Sequence, residues 1–155
     1  INEKKLYATG QSMGGMMAIV MNYKYPELFA ASYLVACQWN PKEVSTMAKN
    51  NLWITVSTGD AKAYPGMNAI TSELIKRGAT VAKDSWRADY TDAQFLEGAR
   101  KVIAQKSNIK YTTLEKSTNP YLPKDANPGL EHSGTWKVAY SIPGIKDWMF
   151  LQSKQ

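Results

Sequence analysis

Three side chains in this sequence have the types and order needed for nucleophilic acyl transfer: Ser12, Asp60 and His132. Ser12 stands inside Gly10-Gln11-Ser12-Met13-Gly14, a G-x-S-x-G pattern. A serine hydroxyl is a poor nucleophile at neutral pH and needs a base beside it. Histidine is the usual base because its pKa lies near operating pH, and the sequence contains one histidine, His132. The third requirement is a carboxylate that holds the imidazole in the working tautomer and stabilises the imidazolium. Asp60 follows the strongest strand pattern and falls between serine and histidine, in the order Ser…Asp/Glu…His. Asp84, Asp89, Asp125 and Glu131 are the other carboxylates to weigh. Glu131 adjoins the histidine in sequence, which works against good geometry for both, whereas Asp125 shares its polar stretch. Other readings stay open: a glycine-rich turn at Ser12, a structural histidine, and an Asp60 that only shapes the Gly59-Asp60 turn.

Such residues must be aimed by the elements around them. Lys5–Thr9 predicts a short strand and Met16–Tyr23 a helix. Strand, G-x-S-x-G and helix together make a nucleophile elbow, a sharp turn that lifts one hydroxyl clear of the backbone. The pentapeptide occurs by accident in roughly one chain of this size in twenty, so the flanking periodicity decides for the elbow. Gly10 and Gly14 are expected to omit Cβ atoms that would collide where strand meets helix, with Gly15 adding room. The serine backbone is expected to be strained. The N–H of Met13, at a helix N-terminus, can donate to an oxyanion.

The remaining elements alternate. Leu28–Cys37 is a near-continuous apolar run, as expected of a strand buried on both faces. Lys42–Lys49 predicts a short helix. Leu52–Thr58 is the clearest strand, stopped by Gly59-Asp60. Tyr64-Pro65-Gly66 suggests a turn, and Met67–Lys76 has helical spacing with Arg77-Gly78 as its stop. An extended segment begins at Ala79, and Thr91 can cap a helix from Asp92 to Gln105. Ile109–Leu114 alternates as a strand. Ser117–Ser133 looks like a long polar loop carrying His132, and two helical pieces follow, broken at Pro143-Gly144. Alternation of this kind predicts an α/β fold with a mostly parallel sheet flanked by helices. Ligands bind beyond the C-terminal strand ends of such sheets, so Ser12, Asp60 and His132 should share one rim. Trp39 and Tyr64 lie in segments at that rim and are candidates to line a substrate pocket, or equally to pack.

The bulk composition narrows the classes. The 155 residues are 44% hydrophobic and 21% charged, ordinary for a folded globular chain. The net charge is +6, but the basic residues are scattered and form no nucleic-acid footprint. The apolar runs are too short to span a bilayer. One cysteine, Cys37, excludes an internal disulfide; it ends an apolar run, where burial makes it inert. One histidine and one cysteine are too few for a usual zinc cluster, and no cofactor motif is present.

These residues resemble the C-terminal half of an α/β-hydrolase. The similarity is to bacterial esterases and peptidases related to polyhydroxybutyrate depolymerases and feruloyl esterases. It is carried by Tyr7–Gly15, by Leu52–Asp60, by His132-Ser133-Gly134-Thr135-Trp136 and by Asp147-Trp148-Met149-Phe150. The resemblance implies a serine carboxylic-ester hydrolase acting on a small ester through Ser12, Asp60 and His132. A serine peptidase of the same fold, or a non-catalytic binding piece that kept the elbow, are the alternatives. Relatives often place the acid two residues later, in a Gly-x-x-Asp pattern, where this chain has Lys62. Relatives also carry several strands and a second oxyanion donor ahead of the elbow. The resemblance therefore implies that residues 1–155 are one catalytic domain portion. An N-terminal half, cleaved or separate, is then the expected partner. Location is left open by the residues; the resemblance is compatible with secretion.

Overall fold

The computed structural model describes residues 1–155. Five strands form one parallel sheet: β1 (Tyr7–Gln11), β2 (Ala31–Val35), β3 (Leu52–Ser57), β4 (Val81–Trp86) and β5 (Ile109–Leu114). Their spatial order is β1-β2-β3-β5-β4. Five helices connect and cover them: α1 (Met13–Lys24), α2 (Ala63–Lys76), α3 (Asp92–Ala104), α4 (Pro128–Ala139) and α5 (Ile145–Leu151). The chain thus has the expected α/β fold.

The central strands β2 and β3 are buried at every residue because both faces of the sheet are covered. One face buries Ile19, Leu34, Ile54, Met67 and Leu74 under α1 and α2. The other buries Trp53, Trp86, Phe95, Val102 and Trp148 under α3, α4 and α5. The Trp53 and Trp148 rings meet edge to face at 5.4 Å. The buried polar groups on this side are partnered: Trp53 Nε1 donates to Thr112 Oγ1 at 3.0 Å, and the Tyr33 hydroxyl lies 3.1 Å from both Thr55 Oγ1 and the Ala139 carbonyl. That last contact ties the end of α4 to the middle of the sheet.

Register sets the rim. Gln11 pairs with Val35, so β1 and β2 end together, and Val35 pairs with Thr55, so β3 runs two residues further to Ser57. Ser12, Ala36 and the turn after Ser57 therefore share the C-terminal rim of the sheet. At the far side β1 has a strand neighbour on one edge only.

Several boundaries differ from the sequence reading. Glu3–Lys5 form a 3-10 turn capped by the Asn2 side chain, so β1 starts two residues later than expected. Only Ala31–Val35 of the apolar run is strand, because Ala36 turns to φ 49° and ends it. Residues 41–49 make two short 3-10 turns, the first capped by Asn40, not one helix. Tyr64-Pro65-Gly66 lies in the first turn of α2, where a proline forfeits no helical hydrogen bond. The polar stretch 117–133 is loop only to Asn127. There Asn127 caps α4 through its side chain, with Pro128 at the first helical position. His132 is accordingly a helix residue, held more rigidly than a loop residue would be.

Candidate active site

Ser12 links β1 to α1 at φ 52° and ψ −123°, a backbone region costly for any residue with a side chain. The surroundings hold it there. Its N–H donates to Val35 O at 3.1 Å, and its carbonyl accepts from Met16 N at 3.0 Å. Glycine is needed on both sides for packing. A Cβ on Gly10 would lie 2.5 Å from the Gly14 backbone, and one on Gly15 would lie 2.5 Å from Cys37 Sγ. The expectation for Gly14 is corrected: a Cβ there would meet nothing within 4 Å, so the crowding falls on positions 10 and 15. Cys37 is fully buried, and burial pushes its thiol pKa up to about 12. Met13 is the first residue of α1, so its N–H has no acceptor within the helix and opens beside Ser12.

Three side chains form a continuous relay. Ser12 Oγ lies 2.9 Å from His132 Nε2, and His132 Nδ1 lies 2.5 Å from Asp60 Oδ2. Trp136, one helical turn beyond, packs edge to face against the imidazole at 5.5 Å and fixes its plane. Asp60 divides its duties between its two oxygens. While Oδ2 meets the imidazole, Oδ1 accepts from the N–H groups of Lys62 at 3.1 Å and Ala63 at 2.9 Å, capping α2. The Asp60 carboxylate is 3% exposed and the imidazole 31%, so the carboxylate is enclosed while the imidazole opens to the cavity. The turn-forming and histidine-holding readings of Asp60 are both present in one side chain.

The other carboxylates are engaged elsewhere or open to water. Asp84 accepts from Trp86 Nε1, and Asp89 pairs with Arg87, whose guanidinium bonds hold the Asp89 carboxyl below its ordinary range. Asp125 is exposed on the loop before α4. Glu131 is buried and bonded to Ser57 and to the Ser117 N–H.

A cavity of about 380 Å³ opens over the relay, walled by Ser12, His132, Met16, Ala36, Gln38 and Lys62. Met16 also borders a neighbouring apolar groove of about 310 Å³ made by Met13, Met17, Val20 and Trp39. Trp39 therefore faces the adjoining groove and not the cavity itself; its indole N–H is held by Glu43 at 2.7 Å. Tyr64 lines neither space and packs against the core beneath α2. Met16, Gln38 and Ala36 went unnoticed in the sequence, where nothing marks the left-handed turn at Ala36. A wider polar depression of about 870 Å³ lies at the opposite, N-terminal ends of the strands beside Lys4 and Asn51, away from Ser12.

A parallel sheet with a strained serine between strand and helix, and an Asp–His pair on the same rim, defines an α/β-hydrolase. The sequence profile of the family described as "Putative esterase" matches residues 1–139, and the chain belongs to that family. Among solved structures, a thermostable esterase is similar in fold, with a TM-score of 0.69 and 21% identity. The match covers 99% of this chain and 32% of that one, so the chain spans under half of that esterase's length. No curated protein matches the chain by sequence.

Proposed function

We propose that this chain carries the catalytic machinery of a serine carboxylic-ester hydrolase that works through an acyl-enzyme on Ser12. The observation that carries the reading is the unbroken relay, Ser12 Oγ to His132 Nε2 at 2.9 Å and His132 Nδ1 to Asp60 Oδ2 at 2.5 Å. With Nδ1–H donating to Asp60, Nε2 is left as the acceptor that faces the serine hydroxyl. His132 takes the Ser12 proton as Oγ bonds to the ester carbonyl carbon. The carbonyl electrons move to oxygen, where the Met13 N–H donates to the developing charge. Collapse of the tetrahedral species breaks the bond to the alcohol, and His132 returns the proton to that leaving group. Water, deprotonated by His132, then repeats the sequence and frees the acid. Asp60 stabilises the imidazolium each time it forms.

The substrate on this reading is a small ester. The 380 Å³ cavity takes the reacting carbonyl, and an apolar group extends into the groove under Trp39. A second oxyanion donor and further strands come from a partner segment, on the same polypeptide or another. The unpaired edge of β1 and the exposed side chains of Met13 and Met17 on α1 support this.

A fluorophosphonate reagent tests the reading. Labelling of the full-length protein, absent in Ser12→Ala, is the expected result, together with turnover of short aryl esters well above that of peptide amides. An unlabelled wild type that turns over no ester would refute it, and a preference for amides would move the assignment to a peptidase.

A further inference from the structure

Glu131 is a buried carboxylate that the relay does not use. It is 2% exposed and forms no ion pair. Its partners are a hydroxyl and one backbone N–H: Oε2 accepts from Ser57 Oγ at 2.7 Å, and Oε1 accepts from Ser117 N at 3.0 Å. Burying a carboxyl group with so few partners is costly, and an apolar side chain of similar size would fill the space more cheaply. Its position explains why a hydrogen-bonding group is kept there.

Ser57 ends β3 and begins the turn that carries Asp60. Ser57 Oγ also accepts from the Gly59 N–H at 3.1 Å, and the Asp60 N–H donates to Ser57 O at 3.1 Å. The turn is therefore wound around Ser57, and Glu131 holds Ser57. Gly59 lies flat against the same side chain: a Cβ there would stand 2.6 Å from Glu131 Cγ. Consecutive residues of α4 thus grip one turn at two points, Glu131 at its start through Ser57 and His132 at its end through Asp60. The far end of α4 is tied to β2 through Tyr33 and Ala139 and its middle to Asn119, and the Glu131–Ser57 bond fixes its first turns against the turn that carries Asp60, which sets where Nε2 stands relative to Ser12.

We infer that Glu131 is a positioning residue that, through Ser57 and Gly59, locks the histidine helix to the acid turn. The inference rests on the ester-hydrolase reading and deepens it. Displacements of about 1 Å at a reacting centre cost up to about a hundredfold in rate. Glu131→Ala in the full-length protein should therefore lower kcat for an aryl ester about 10- to 100-fold, with KM within about twofold of wild type. Glu131→Gln keeps an oxygen that accepts from Ser57 and should recover most of the loss. Ser57→Ala, which removes one bond and little volume, should lower kcat in the same direction. The double variant Ser57→Ala/Glu131→Ala should be no worse than Glu131→Ala alone, because both remove one connection.

Assays run well below each variant's melting midpoint separate positioning from unfolding. Wild-type kcat in Glu131→Ala overturns the inference, as does a change in KM alone or a failure of Glu131→Gln to recover activity. If Glu131→Ala does not fold, Ser57→Ala decides, and wild-type kcat there overturns it. Ester turnover by wild type with none in Ser12→Ala keeps the hydrolase reading standing whatever Glu131 does. An inert wild type removes both.

Discussion

Asp60 serves two structures with one carboxylate, and substitutions can separate them. Asparagine keeps an oxygen for the Lys62 and Ala63 N–H groups but presents an amide toward His132 Nδ1. Asp60→Asn is therefore expected to melt within a few degrees of wild type while kcat falls on the order of 10³- to 10⁴-fold, the loss typical of a triad whose imidazole is forced into the wrong tautomer. Thermal melts and ester kinetics on the same preparation check this. Asp60→Ala should lose activity and also about 1 kcal/mol of stability with the cap. That Asp60 is the carboxylate beside His132 could be read from chain order and from the strand before it. Lys62 stands where relatives often place the acid, and its N–H points back to the Asp60 oxygen. The role of Glu131 was not legible: adjacency in sequence argued against it as the acid, and nothing local shows that it reaches Ser57, 74 positions away.

At the scale of elements, α4 is the part the sequence hid. Ser, Gly, Asn and Pro dominate residues 117–134, and that composition argues for loop. The Asn127-Pro128 pair was the available signal, a cap followed by a proline at the first helical position. Asn127→Ala should cost about 1 kcal/mol in urea unfolding and also lower kcat, because the frayed turn carries His132. Thr91→Ala breaks the capping box of α3 with Gln94 and should cost a similar amount with kcat unchanged, since α3 touches no part of the relay. Equal kcat losses in the two variants would show that helix fraying is felt generally. β3 was legible because β-branched residues and a stop signal coincide, and β5 because its residues alternate. β2 was overextended because burial continues past the point where Ala36 turns away.

For the whole molecule, the two faces of the sheet are closed but the β1 edge is not. Met13 and Met17 are 72% and 62% exposed beside it. An unpaired edge next to apolar surface favours association. The isolated 155-residue chain is expected to self-associate at micromolar concentration in sedimentation velocity and to gain ester turnover when the partner segment is supplied. A stable, fully active monomer would contradict that. Alkaline pH probes the buried core beneath α1. The Cys37 thiol ionises near 9.0 when unfolded and at about 12 when buried. The unfolded chain loses this proton first, so its contribution to stability is intact below pH 9 and disappears as pH rises toward 12. Stability measured by urea titration should therefore fall with pH more steeply in wild type than in Cys37→Ala.

The backbone at Ser12 sets folding against chemistry at a single position. At φ 52° and ψ −123°, glycine would be the more comfortable tenant by roughly 1 kcal/mol. Ser12→Gly should thus melt higher than the parent while hydrolysing nothing. Robustness alone would favour glycine here, so a serine held against that preference supports the nucleophile proposed for it.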